Sequence, residues 1–176
     1  MVVLSQLFRD FGNWQETHDH VISNNVFQTR TNRSSEVLYG EMFKRLSLLS
    51  HEQIELLSED YPFDVKHLVW ISICKQYPFV RDFVIEAVSP ALAVGRSVIT
   101  LDDYRYFFNS KAEWHPELDQ VSEKTRSNAQ GAVFQMMRQC ELLDESNKVI
   151  PQFISPALQN CSSQEELDLI PGAIPL

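Results

Sequence analysis

The sequence predicts an all-α protein built from two small helical subdomains. Capping signals and apolar steps of three and four recur along nearly the whole chain. Only 5 glycines occur in 176 residues, too few for a turn-rich all-β fold. The helical period gives way for any length at one place near the carboxyl end, between residues 144 and 154.

In order, residues 2–10 form a short amphipathic helix closed near Gly12. Asn13 caps a second helix with Glu16 at its third position. The polar connection NNVFQTRTNR leads into a long helix from about Ser34 to Leu49. Ser50 and Gln53 form a capping-box pair for HEQIELLSE. Pro62 opens a helix that buries Val65, Leu68, Val69, Ile71 and Ile73 and stops at Tyr77-Pro78. A further helix from Phe79 ends before Pro90, and residues 90–99 mark the boundary between subdomains 1–95 and 96–176.

The second subdomain opens at Thr100, an N-cap with Asp103 three residues on, and carries Tyr104, Phe107 and Phe108 inward. That helix ends near Trp114, where the tryptophan anchors a corner, and Pro116 starts the next, since a first helical position needs no amide donor. Positions 121, 125, 129, 132, 136, 140 and 143 then form one continuous apolar or neutral stripe. Lys124, Ser127, Gln130, Gln135 and Arg138 lie opposite, all able to donate to phosphate or base edges. Phe134 falls on this polar face and is expected to pack under a neighbouring element. Asp144-Glu145-Ser146-Asn147 is a turn, Lys148-Val149-Ile150 an extended run, and Phe153-Ile154 its returning strand after Pro151. Helix, turn, long helix and short hairpin is the element order of a winged helix-turn-helix. An amphipathic helix in a bundle followed by an ordinary turn accounts for the same spacing. Ser162 and Glu165 cap a last short helix, and the PGAIPL tail is expected to be loosely held.

The net charge is −9, unfavourable for nucleic acid as a sum, but its distribution is uneven. Residues 139–176 carry six acids and only Lys148, a balance of −5. Residues 28–50 carry Arg30, Arg33, Lys44 and Arg45 against Glu36 and Glu41, a balance of +2. With Arg105, Lys111, Lys124, Arg126 and Arg138, these cations are the candidate DNA-binding residues. The alternative is solvated helix faces with local ion pairs.

No catalytic or metal constellation is found. His18 and His20 are two apart and diverge on a helix, and His67 lies in an apolar helix where a satisfied core role is expected. Glu113-Trp114-His115 sits at a corner and reads as structural. Cys74, Cys140 and Cys161 lack metal spacing and read as buried thiols of a reducing compartment. A membrane span needs about 20 apolar residues. HLVWISIC, between Lys66 and Lys75, and AVSPALAVG, with Pro90 inside it, are too short, so a cytoplasmic protein is expected.

FFNSKAEWHPEL, the pair Thr125-Arg126 and MMRQCELLDESNKVIPQFISPAL resemble the BrxA family of BREX phage-defence systems, once described as putative inner-membrane proteins. NNVFQTRT, RLSLLSHEQIELL and WISICKQYPFVRDFVIEAV extend the resemblance over nearly the whole chain. At the start, Met1 leads almost directly into helical sequence, so no role of a leading segment is carried over. The resemblance implies a component of a phage-defence system, and the lack of a catalytic constellation makes a non-catalytic one, without cofactor, the expectation. The resemblance implies cooperation with other BREX proteins, which include a DNA methyltransferase, an ATPase and a phosphatase-like protein. It also implies binding of double-stranded DNA, largely through phosphates with little sequence preference. The rival reading is an interaction adaptor that never touches DNA and holds a basic partner with its acidic carboxyl-terminal third.

Overall fold

The computed structural model describes residues 1–176, the side chain at position 62 apart. Helix α1 (Val2–Phe11) ends at Gly12, whose φ of 72° is left-handed and suits a residue without Cβ. Asn13 caps α2 (Trp14–Ser23) by accepting from the Glu16 amide, and Thr31 caps α3 (Asn32–Leu46). The Ser50–Gln53 capping box starts α4 (His51–Ser58), and α5 (Pro62–Gln76) runs through the centre. Helix α1 packs on α2 and α4, while α3 and α4 both pack on α5. Leu68, Ile71 and Ile73 of α5 are buried, as expected, Val65 and Val69 are partly buried against the core, and Trp70 joins the buried set.

Helix α5 stops at Tyr77, as expected, and a second rod follows, made of α6 (Pro78–Phe83), one π-helical turn (Val84–Val88) and α7 (Ser89–Ala93). The helix therefore passes Pro90 instead of ending before it. Proline supplies no amide and crowds the preceding turn. Here the Ser89 amide donates to the Val84 carbonyl, a wider turn that absorbs the interruption.

The Thr100–Asp103 capping box starts α8 (Leu101–Ala112), and Tyr104, Phe107 and Phe108 are buried as the spacing predicts. They meet Phe79, Phe83 and Phe134 in an aromatic cluster, with Phe79 4.9 Å from Phe107 and Phe83 6.1 Å from Phe134. Phe134 packs under neighbouring elements, as expected. Trp114 does not anchor the corner: it is 81% exposed.

The expected continuous helix from residue 116 is broken into α9 (Pro116–Asp119) and α10 (Glu123–Gln139), because Ser122 caps the second by accepting from the Thr125 amide. The buried face of α10 is Gln130, Val133, Phe134 and Met137, while Thr125, Ala129 and Ala132 are exposed. Burial follows apolar area. Phenylalanine, valine and methionine offer more of it than threonine and two alanines, which rotates the helix away from the expected stripe.

No hairpin joins residues 148–150 to 153–154. The turn at 144–147 closes through an antiparallel bridge between Leu143 and Val149, and Lys148 bridges Val98. Strand β1 (Gln152–Ile154) instead pairs in parallel with β2 (Ala173–Pro175). Pro151 has no amide to extend the first run. Gly172, at φ 72°, turns the tail back so that its carbonyl accepts from the Gln152 amide at 3.0 Å. The tail is thus held, not loose. Between the strands lie α11 (Pro156–Cys161) and α12 (Gln164–Leu167), and the cap of α12 is Ser163 with Glu166, one residue beyond the expected pair. These two three-residue strands are the only ones among the described residues, so the class is all-α.

The carboxyl-terminal segment closes over α4 and α5. Trp70 Nε1 donates to the Leu169 carbonyl at 2.7 Å, and Ser155 Oγ donates to Asp64 Oδ1 at 2.7 Å. His67 is buried as expected, and its Nε2 lies 3.0 Å from Gln152 Oε1, but its buried Nδ1 has no partner among the described residues, so the expected satisfaction is only half met. Gln53 and Lys75 both reach the Glu166 carboxylate. One continuous apolar cluster runs from Leu4 to Ile170.

Candidate nucleic-acid interface

The side chains of α8 and of the first half of α10 leave a groove of about 450 Å³ between them. Arg105 and Asn109 line it from α8, Arg126, Ser127 and Gln130 from α10. The Arg126 guanidinium stacks 4.1 Å above the Phe108 ring and donates to Asn109 Oδ1 at 3.1 Å. Arg105 donates to Asp102 Oδ1 at 3.0 Å, with both side chains largely exposed. Two donors in this groove are buried and have no protein acceptor, Tyr104 Oη and Arg126 Nε. Burial pushes the Tyr104 hydroxyl up to about 12, against the opposing charge of Arg126, so it remains a proton donor throughout the physiological range. Gln130 is spent on the fold: its Nε2 donates to the Leu101 carbonyl at 2.7 Å.

The other candidate cations divide into tied and free. Lys111 donates to Asp82 at 2.9 Å and Glu86 at 2.6 Å, and these acids hold its ammonium above the ordinary lysine range. Lys44 pairs with Glu41 at 2.9 Å. Arg45 donates to Gln76 at 3.0 Å and lies over the Tyr77 ring, and Arg138 donates to Asn147 at 2.6 Å. Arg30, Arg33 and Lys124 are exposed and have no ion pair or side-chain hydrogen bond among the described residues. Along α3, Arg33 and Lys44 stand about 16 Å apart at 1.5 Å per residue. The 30–45 region therefore presents two ends of a helix, not one patch. The groove brings Arg105 and Arg126 together and leaves Lys124 on the adjoining first turn of α10.

Sequence reasoning placed Tyr104 inward, and it is fully buried, but did not anticipate that its hydroxyl would lack an acceptor beneath the groove. The signal was its hydroxyl, which needs a partner that the flanking phenylalanines do not. Elsewhere, His18 is bridged between Asp19 at 3.0 Å and Glu36 at 2.9 Å, and both carboxylates raise its pKa. Among the described residues no group of three or more His, Cys, Asp and Glu side chains could hold a metal. Burial raises the thiols, Cys140 to about 12, which keeps them protonated and poorly nucleophilic.

The BrxA family model matches residues 1–166. The chain belongs to the BrxA family. BrxA is a BREX-associated family, which supports a component of a defence system, and it is not known as an enzyme family. The match takes in the α8–α10 groove and both ends of α3 of this BrxA chain. No curated protein matches it. Among the described residues no helix is long and apolar enough to cross a membrane.

Proposed function

We propose that the chain is a non-catalytic, cytoplasmic component of a BREX phage-defence system that binds double-stranded DNA largely through phosphate contacts. The observation that carries this reading is the α8–α10 groove, where Arg105 and Arg126 come together beside Asn109 and Ser127. A phosphodiester supplies the opposing charge and the acceptors. Lys124 extends the contact along α10, and Arg30 and Arg33 form a second, separate arm. Other BREX proteins are the proposed partners.

Net charge and local acids limit the strength of this binding. Glu123 lines the groove and Asp102 holds Arg105, so each phosphate contact competes with a carboxylate. Binding is therefore modest, strongly dependent on salt and nearly indifferent to sequence. Titrating plain duplex DNA at two salt concentrations tests this. Replacing Arg105 and Lys124 by glutamate is expected to weaken binding and to lower the salt slope by about one unit per lost contact. Reversing Arg30 and Arg33 tests the second arm in the same way. If both double variants bind as wild type, the DNA surface lies elsewhere.

The adaptor without DNA contact is kept as a second reading because the acids of residues 139–176 border an apolar groove near the carboxyl end. Absence of DNA binding by the wild-type chain even at low salt decides for it.

A further inference from the structure

A second groove, of about 850 Å³, lies on another side of the molecule, between the α6–π–α7 rod and the segment from α11 to β2. The rod has two apolar sides. Val84, Val88 and Ala91 face the core. Ile85 and Leu92 line the groove, and Ile85 is 50% exposed. Ile154 and Ile170 contribute from the opposite side and are themselves buried. This apolar surface has no covering element among the described residues.

The charged residues of the groove are of one sign. Glu165 and Asp168 line it, and no lysine, arginine or histidine does. Neither carboxylate has an ion-pair partner among the described residues; Asp168 accepts only from Gln164 Nε2 at 2.7 Å. Glu166, between them in sequence, is by contrast tied to Lys75 and Gln53. The wider segment, residues 139–176, carries the −5 balance noted above.

An apolar trough with free carboxylates on its wall selects against nucleic acid and against anionic lipid headgroups, both of which it would repel. It also disfavours a two-fold pairing of this face with itself. An isologous contact sets the same patch against its copy, and acid would meet acid. What fits is an amphipathic segment whose apolar positions recur at helical spacing and whose flanks carry lysine or arginine. We propose that this groove docks such a segment of a partner protein, with its apolar residues on Ile85, Leu92 and the isoleucine floor and its cations on Glu165 and Asp168. The inference stands whether or not the chain binds DNA, because the two grooves share no lining residue.

The test uses the intact chain and a labelled synthetic peptide of about 15 residues, long enough to hold a helix, with leucines at helical spacing and lysines between them. Two controls keep its length, one with glutamate for lysine and one with serine for leucine. Fluorescence anisotropy is expected to show saturable one-to-one binding of the leucine–lysine peptide, with each control at least about tenfold weaker. Ile85→Asp, and separately the double change Glu165→Lys with Asp168→Lys, each weaken it by about tenfold or more. Val37→Asp, at an exposed position of α3, leaves it unchanged. All the altered positions are exposed, and circular dichroism confirms that the variants fold. Equal binding of the serine–lysine peptide, or groove variants that bind as wild type, overturns the proposal. So does light scattering that shows a dimer dissolved by Ile85→Asp, since the occupant is then a second copy.

Discussion

His67 and His18 titrate in opposite directions, and each direction follows from what surrounds the ring. His67 is fully buried within α5, where desolvation outweighs the Gln152 hydrogen bond and lowers its pKa below 6.5. The unfolded chain binds that proton more readily, so the fold loses stability as pH falls through 6.5 towards the lower folded value. His18 is raised above 6.5 by Glu36 and Asp19, so its contribution is complete below 6.5 and is lost as pH rises through the folded value. Denaturant midpoints between about pH 5.5 and 7.5, one unit to either side of the ordinary histidine pKa, are expected to show both. His67→Gln removes the acid-side loss, and His18→Gln removes the acid-side gain. Identical pH profiles for both variants and wild type would sink the assignment. The core role of His67 was legible because Val65, Leu68, Val69 and Ile71 of the same helix are apolar. The exposure of Trp114 was not, because nothing local says whether a corner tryptophan finds a wall to lean on.

Helix starts were the most legible elements, since a cap is made within three residues of itself. Asn13, Ser50 and Thr100 all cap the helices that their sequence patterns announce. For α8 this makes Thr100→Ala cost about 1 kcal/mol, read as a shift in the denaturant midpoint. Asp103 holds the other half of that box. The Arg96 guanidinium and the Thr100 groups bring its carboxyl down to about 2. Its contribution is therefore present above 3.8 and lost as pH falls from 3.8 through 2, and Asp103→Asn should flatten that limb. Elements set by distant partners were not legible. The phase of α10 depends on Gln130 reaching the Leu101 carbonyl and on Phe134 reaching Phe83. The parallel pairing of β1 with β2 depends on Gly172, where a Cβ would stand 3.2 Å from Val149 Cγ1 on a backbone at φ 72°. Gly172→Ala is expected to destabilise by about 1 kcal/mol or more, and a midpoint equal to wild type would show that the tail turn contributes nothing.

At the scale of the whole molecule, composition and period were enough for the all-α class, but not for the candidate sites. Which cations remain available is decided by partners far away in sequence: Lys111 is taken by Asp82 and Glu86, whereas Lys124 is not taken at all. The same long-range closure bears on how the chain unfolds. A division at residue 95 into two subdomains, drawn from the boundary at residues 90–99, expects two transitions. The contacts that cross it expect one. Trp70, His67 and Asp64 of α5 are hydrogen-bonded by Leu169, Gln152 and Ser155, and the apolar cluster continues across the boundary without a gap. Removing the carboxyl-terminal segment would leave the Trp70 indole N–H without its acceptor and expose the α5 face it covers, costs that a 1–95 fragment meets with no replacement. We therefore expect tryptophan fluorescence, dominated by the change at buried Trp70, and far-ultraviolet circular dichroism to report one coincident denaturant transition. A fragment of residues 1–95 is expected to lack it. Two separated transitions, or a fragment that unfolds cooperatively by itself, would establish the two subdomains as independent folding units and reduce the crossing contacts to docking between them.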